Sequence, residues 1–276
     1  LFAKQIISNT KSDYSTLSDR TARAREQGIL PVNCFSDGTR SVVADFPLSS
    51  DYDDPEEYVG SLVNQLKNIV PYYRSIVPRW QNQPHRVEIW TEKNAMVPSF
   101  KSIVGDRQVL ISPFKGYGSV PYRYENCQRL REYLKEGLHV HILYFGDLDP
   151  SGEDILRFVR RMLLRHNVTG PNLDFRYMGV TEEQIEKYNL PKDPDTQTLD
   201  KLKRDTRSRS FRYNHNNELF QVEVDALPAI ISDEFRKMVL EPIDAYFDET
   251  IYQKLMEKYT PTRIHGLVKE RVEFLD

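Results

Sequence analysis

The chain has 276 residues, 38 Lys plus Arg against 41 Asp plus Glu, a net charge of −3 and two cysteines. That length exceeds one typical domain and is enough to bury a sizeable core, so about two domains are expected. Cys34 and Cys127 stand far apart without CxxC spacing, and no apolar run approaches the roughly 18 residues of a membrane span, which argues against a zinc ribbon, a disulfide framework and a transmembrane helix. No HExxH, no GxGxxG after a strand and no GxxxxGK[ST] occurs, so catalytic zinc, dinucleotide and P-loop chemistry are set aside. The small net charge says nothing about nucleic acid, because an acidic site and a basic groove cancel in the sum.

In chain order, the first helix is predicted over 15–27 and ends at Gly28, a residue type favoured just past a helix terminus. Arg20, Arg23 and Arg25 fall within two turns of it, and Arg40 follows a turn at Asp37-Gly38. These arginines suit phosphate contacts, which add salt-dependent, sequence-independent affinity. A solvated face balanced by Asp13, Asp19 and Glu26 explains them equally well. Tyr14, the one tyrosine in the first 50 residues, reads as a packing residue near the helix start. After a polar break, SSDYDDPEE at 49–57, Val59, Leu62, Val63, Leu66, Ile69 and Val70 recur at helical spacing. Asp54 and Pro55 supply the N-cap and first helical position, and Pro71 and Pro78 would kink or end the helix. This stretch connects the two domains, with its apolar stripe in a core.

From His85 onward strands and helices alternate: strand 86–91, helix 94–104, strand 107–112, helix 121–136, strand 139–145, helix 152–166, strand 173–178. Such alternation implies an α/β fold, a mostly parallel sheet flanked by helices with right-handed crossovers. His139 and His141 lie inside an apolar strand, and the six histidines are otherwise scattered. The run DKLKRDTRSRSFRYNHN that begins at Asp200 interleaves Lys201, Lys203, Arg204, Arg207, Arg209 and Arg212 with Phe211 and Tyr213. It suits a backbone-tracking groove with base stacking, or, slightly favoured, a mobile surface loop. In FQVEVDALP (220–228), Glu223 and Asp225 alternate along a strand and are candidates to support an acidic site, while Asp225 equally suits a helix cap.

The most informative segment is HVHILYFGDLDPSGED (139–154), an apolar strand that runs into Asp147 and Asp149 and then a helix start. Residues i and i+2 at an extended strand end project to one side, so both carboxylates can aim at one point. Mg²⁺ is hard, takes oxygen ligands and usually binds one or two protein carboxylates. Ligand crevices of open parallel sheets lie beyond the carboxyl ends of the strands, where this pair falls. Asp149-Pro150-Ser151-Gly152 is also good turn and N-cap chemistry in its own right. An earlier strand, HRVEIWTEK, brings Glu92 and Lys93 to an equivalent end, so the first and third strands are expected side by side.

The glutamate after a first strand, the glycine-containing turn SPFKGYGSV (112–120) after a second and DLDPSG after a third together resemble the Toprim domain, in the version found in the A subunit of topoisomerase VI and in the meiotic double-strand-break transesterase. FRYMGVTEEQIEKYNLP (175–191) and FQVEVDALP are similar to later segments of that family. NTKSDYSTLSDRTARAREQGILPVNCFSDGTR (9–40) is similar to the winged-helix region that precedes Toprim in bacterial, phage and archaeal members. The resemblance implies residues 1–83 as a partial winged-helix-like DNA-binding region plus connecting helix, and 84–276 as a Toprim domain with a C-terminal helical extension.

It further implies Mg²⁺ held by Glu92, Asp147 and Asp149, with Mn²⁺ able to substitute, and Lys93 at the phosphate. The expected partners are double-stranded DNA, a second copy of the chain and a partner ATPase, in the cytoplasm or at the nucleoid. The start at Leu1 reads as an incomplete N-terminus, with the family's transesterifying tyrosine expected upstream; without one, water is the nucleophile and the protein is a Toprim nuclease. Two alternatives stand beside this reading. One is a non-catalytic DNA-binding or assembly subunit that keeps the fold; the other is a DxD phosphatase, whose motif normally opens its fold.

Overall fold

The computed structural model describes residues 10–31, 56–57, 60–61, 64–65, 77–114, 116–192, 196–258 and 260–272. Residues 1–14 with 82–248 make one compact unit, and residues 15–81 with 249–276 make a second. Arg40, the turn at 37–38, Asp54, Pro55 and most of the 59–70 stretch lie outside the described residues. Helix α1 covers Lys11–Glu26, starting four residues before its predicted onset, and Gly28 beyond it takes a φ of 71°, the left-handed geometry that favours glycine. Arg20 and Arg23 are exposed on α1.

The sheet is built from β1 (His85–Thr91), β2 (Leu110–Pro113), β3 (His139–Phe145) and β4 (Leu173–Tyr177), all parallel, in the order β2-β1-β3-β4. The crossovers carry α2 (Val97–Val104), α3 (Val120–Lys135) and α4 (Pro150–Arg165). After β4 come α5 (Glu182–Tyr188), α6 (Thr196–Arg204), α7 (Ser208–Asn214), α8 (Ala226–Ile230) and α9 (Ser232–Ala245). In β1 the last five residues are buried, and in β3 the last six, because helices cover both faces of a parallel sheet. On one face Trp90, Ile142 and Tyr144 pack with Cys127 and Leu130 of α3 and Ile155, Val159 and Met162 of α4. On the other, Phe145 meets Phe100 of α2 and Phe235 of α9 at ring-centroid distances of 4.8 and 5.8 Å.

This is the expected α/β architecture, with two local differences. The 107–112 strand is shorter and later, because Gly105–Arg107 winds into a 3-10 turn and Gln108 adopts φ 54° before pairing with β1 begins at Leu110. The 200–216 run is α6 and α7 instead of a surface loop. Leu202, Ser208 and Phe211 are buried there, while Arg157 of α4 donates to Ser210 Oγ at 3.0 Å. His215, just past α7, contacts Glu153 of α4 at 2.7 Å and also Glu182 of α5. Phe211 is therefore a core residue and stacks no base; Tyr213 is exposed.

The second unit holds α10 (Glu249–Glu257) and α11 (Pro261–Val272). Leu255 and Met256 of α10 pack against Val77, and Arg79 lies 3.6 Å from Glu249 and over the Tyr252 ring.

Candidate metal centre

The strand order fixes where chemistry can gather. β2 lies on one side of β1 and β3 on the other, so the crossovers diverge between β1 and β3 and open a crevice at their carboxyl ends. Glu92 leaves β1 there, and its N–H donates to the Phe145 carbonyl at 3.0 Å, extending the pairing by one residue. Glu92 Oε2 in turn accepts the Asp147 N–H at 3.4 Å. Gly146 between them has no room for a side chain: a Cβ would sit 2.8 Å from the Tyr144 ring and 3.5 Å from Glu92 Oε2. The expected adjacency of the first and third strand ends is thus met.

Asp147 and Asp149 are each only 7 % exposed. Asp149 caps α4, accepting the Gly152 N–H on Oδ1 at 2.7 Å, so the cap function and a place in the acidic site belong to the same side chain. Asp147 Oδ1 accepts the Val224 N–H at 2.7 Å. That contact is possible because FQVEVDALP crosses the DxD turn antiparallel, with Leu148 and Val222 exchanging hydrogen bonds of 2.9 and 3.0 Å. Only this single bridge forms, so the segment is no regular strand. Asp225 makes no side-chain cap on α8; its carboxylate lies 3.6 Å from Lys93 Nζ.

Lys93 sits at the centre of the charges, 2.9 Å from Glu223 and 3.5 Å from Asp147. Burial opposes its charge, but Asp147, Asp225 and Glu223 together hold its pKa above the ordinary lysine value. Burial, with Asp149 adding repulsion, pushes the Glu92 carboxyl up to about 7, against the relief of the Asp147 amide and Lys93. Burial pushes Asp147 up to about 8 even though Lys93 and the Val224 amide favour its anion. Asp149 is raised by burial too, eased by the amides of Gly152 and Ser151 and by Arg207.

Among the described residues no group of three or more His, Cys, Asp or Glu side chains is drawn together in a metal-holding arrangement. Lys93 lies 3.5 Å from Asp147 Oδ1, and Asp149 Oδ1 accepts from its own helix. The donor set nevertheless fits a hard divalent cation. It offers carboxylate oxygens alone, desolvated and short of positive charge, at a crevice that Glu92 leaves half open.

The glycine turn after β2 borders the same region. Gly116 and Gly118 take φ of 79° and 63°, and the turn lines an open hollow of about 470 Å³ with Phe114, Tyr117 and Tyr122. Tyr117 donates to Asp154 of α4 at 2.6 Å and accepts from Arg207 at 3.3 Å. Tyr117 and Ser151 lie inside the glycine turn and the DLDPSG motif read from the sequence, but neither they nor Asp205 are singled out there as members of this region. Of the basic run, Lys201, Lys203, Arg204 and Arg209 are exposed on α6 and α7, and Arg207 alone reaches the DxDPSG turn.

A parallel α/β sheet with an acidic crevice between its two central strands, closed by a glycine turn and a DxDPxG helix start, is the class to which this fold and site belong. Residues 91–264, more than half of the chain, match the family model for the Toprim domain of the topoisomerase 6 A-subunit/Spo11 family. The chain belongs to that family. No curated protein and no solved structure matches it.

Proposed function

We propose that the chain cleaves DNA strands in a Mg²⁺-dependent reaction, as a topoisomerase VI A-subunit-like transesterase or a Toprim nuclease. The observation that carries this reading is the meeting of Glu92 and Asp147 at the carboxyl ends of β1 and β3, in a chain of the topoisomerase 6 A-subunit/Spo11 family. Glu92, Asp147 and Asp149 would hold the cation, and Mn²⁺ would substitute. When bound, the ion supplies charge neutralisation at the phosphate and support for the attacking and leaving oxygens.

The chain's own residues do the rest. Lys93 would contact a phosphate oxygen, with Glu223 and Asp225, 2.9 and 3.6 Å from its ammonium, keeping it at the site. The Val224 amide keeps Asp147 oriented. Residues 1–83, with Arg20, Arg23, Arg25 and Arg40, are proposed as a winged-helix-like DNA-binding region ahead of the Toprim domain at 84–276, and Lys201, Lys203, Arg204 and Arg209 as further phosphate contacts. The partners in this reading are double-stranded DNA, a second copy of the chain, since cutting two strands takes two sites, and a partner ATPase. No helix among the described residues is long and apolar enough to cross a membrane.

Asp147→Asn and Glu92→Gln are expected to abolish Mg²⁺-dependent cleavage of duplex DNA; full cleavage by either variant overturns the assignment. Denaturing gels with and without protease separate the two chemistries, because a transesterase leaves protein on a DNA 5′ end and a nuclease leaves free ends. Binding of DNA that is strongly salt-dependent yet indifferent to Mg²⁺, with no cleavage, would instead mark a non-catalytic DNA-binding component of a larger assembly.

A further inference from the structure

We propose that Arg207 orients the DNA phosphate at the acidic crevice, with Asp205 and Ser151 holding its guanidinium in place. This rests on the metal-dependent phosphodiester reading above and names a residue for it. Arg207 stands at the start of α7, half-buried, and its side chain turns toward the DxDPSG segment. One edge of the guanidinium is fixed. Nε donates to Asp205 Oδ1 at 2.9 Å and Nη2 to Oδ2 at 2.6 Å, a side-on bidentate pair. The remaining nitrogen, Nη1, donates to Ser151 Oγ at 3.0 Å and to Tyr117 Oη at 3.3 Å.

Ser151 is two residues beyond Asp149, so the cation stands beside the carboxylates proposed to hold the metal. The two partners of Nη1 are neutral hydroxyls, which are weaker acceptors for a guanidinium than a phosphate oxygen. Tyr117 is already committed as a donor to Asp154, so yielding its acceptor contact to a phosphate costs it no other bond. The Asp205 pair gives the fork a fixed direction, which a lysine at this position would lack. Four of the neighbouring basic side chains lie further out. Lys201, Lys203, Arg204 and Arg209 are exposed, and Lys203 pairs with Asp200 one turn away at 3.6 Å.

The rival explanation is an ion pair that merely pins α7 to the turn, and the two are separable by experiment. Arg207→Ala, Arg207→Lys and Asp205→Asn are compared with the unaltered protein for thermal melting, Mn²⁺ affinity, DNA affinity across a salt series and Mg²⁺-dependent cleavage. For Arg207→Ala, Mn²⁺ affinity is expected to hold, cleavage to fall about 100-fold or more, and the slope of log affinity against log salt to drop by about one. Arg207→Lys is expected to keep the salt slope and still lose at least about tenfold in cleavage, because charge survives and the fork does not. Asp205→Asn, acting through Arg207, is expected to lower kcat with KM little changed.

Arg207→Ala with an unaltered cleavage rate and an unaltered salt slope overturns the proposal, as does a loss confined to melting temperature. Should the alanine variant fail to fold, wild-type cleavage by Arg207→Lys overturns it equally. Absence of cleavage by the unaltered protein would count against the reading on which this rests, and the salt slope would still decide whether Arg207 meets the phosphate.

Discussion

The amide of Val224 donates to Oδ1 of Asp147 at 2.7 Å, joining residues 77 apart in the chain. The contact makes FQVEVDALP a strap across the DxD turn, and it brings Glu223 and Asp225, on either side of Val224, to the ammonium of Lys93. Together with Glu92 and Asp147, these side chains share one lysine at the ends of β1 and β3. Such a centre is buried as well as short of positive charge, and the predicted behaviour of the protein toward acid and divalent ions follows first from that burial.

Glu92 and Asp147 hold protons to about pH 7 and 8, against ordinary values of 4.5 and 3.8. Carboxyls raised in this way favour the fold at low pH, where both folded and unfolded chains are protonated. That contribution is lost as pH rises from about 4 toward 8, because the unfolded chain ionises first. A divalent ion reverses the penalty by favouring the anions, so its binding must release protons. Apparent Mn²⁺ affinity is expected to fall between about 10- and 100-fold from pH 7 to pH 6, as one or two protons must be displaced. Calorimetry in buffers of different ionisation enthalpy measures the release, and an affinity flat across this range would contradict it.

Gly152 is the tightest point of the turn. A Cβ there would lie 2.3 Å from the Asp147 carbonyl oxygen and 3.0 Å from its carbonyl carbon, both backbone atoms that cannot swing aside. Gly152→Ala is expected to cost about 1–3 kcal/mol and to weaken Mn²⁺ binding as Asp147 is displaced. Gly266 of α11 is the control, since a Cβ there meets nothing within 4 Å. Gly266→Ala should leave ion binding untouched and raise stability by up to about 1 kcal/mol. Thermal melts with and without Mn²⁺ read both effects.

The parts legible in the sequence are those written locally. The expected strand at 139–145 coincides with β3, because an apolar run interrupted by His139 and His141 lies between Gly137 and Gly146, and Glu92 with the DxD pair can be read from residue type at strand ends. The basic run misleads because spacing alone does not reveal that Leu202 and Phe211 find a core. What stays illegible depends on tertiary pairing. Lys93 and Glu223 are 130 residues apart, and Arg207 reaches Tyr117 across 90.

Glu88 illustrates the same limit and yields a further prediction. It points into the core, 1 % exposed, where it accepts the Trp90 indole N–H at 2.8 Å and both Nε and Nη2 of Arg129 at 2.8 and 2.9 Å. Removing the arginine strands a buried carboxylate. Arg129→Ala is expected to cost about 3 kcal/mol, while Glu88→Gln with Arg129→Met, which leaves an acceptor for Trp90 and no net buried charge, should cost distinctly less. Urea denaturation of the three proteins decides it. Equal losses would show that packing, and not the stranded charge, sets the cost.

The amino ends of β1 and β3 carry the last prediction. His85 Nδ1 and His141 Nε2 lie 3.0 Å apart, and the His141 ring stacks on Tyr246 at 3.6 Å. Between two ring nitrogens at that distance only one proton fits. Burial lowers the pKa of His141, with Asp174 opposing, and burial and His139 lower that of His85, both from 6.5. An imidazole lowered in the fold contributes stability that is full above the ordinary value and is lost as pH falls below it, since the unfolded chain takes up protons first. This runs opposite in sign to the carboxyls of the crevice, so the melting temperature alone mixes the two. The difference between the unaltered protein and His141→Phe isolates the imidazole contribution, because phenylalanine keeps the stack on Tyr246 and leaves the crevice unchanged. That difference is expected to shift in favour of His141→Phe between pH 7 and pH 5. A difference constant across the range would mean that the two histidines share a proton as readily in the fold as they take one in water.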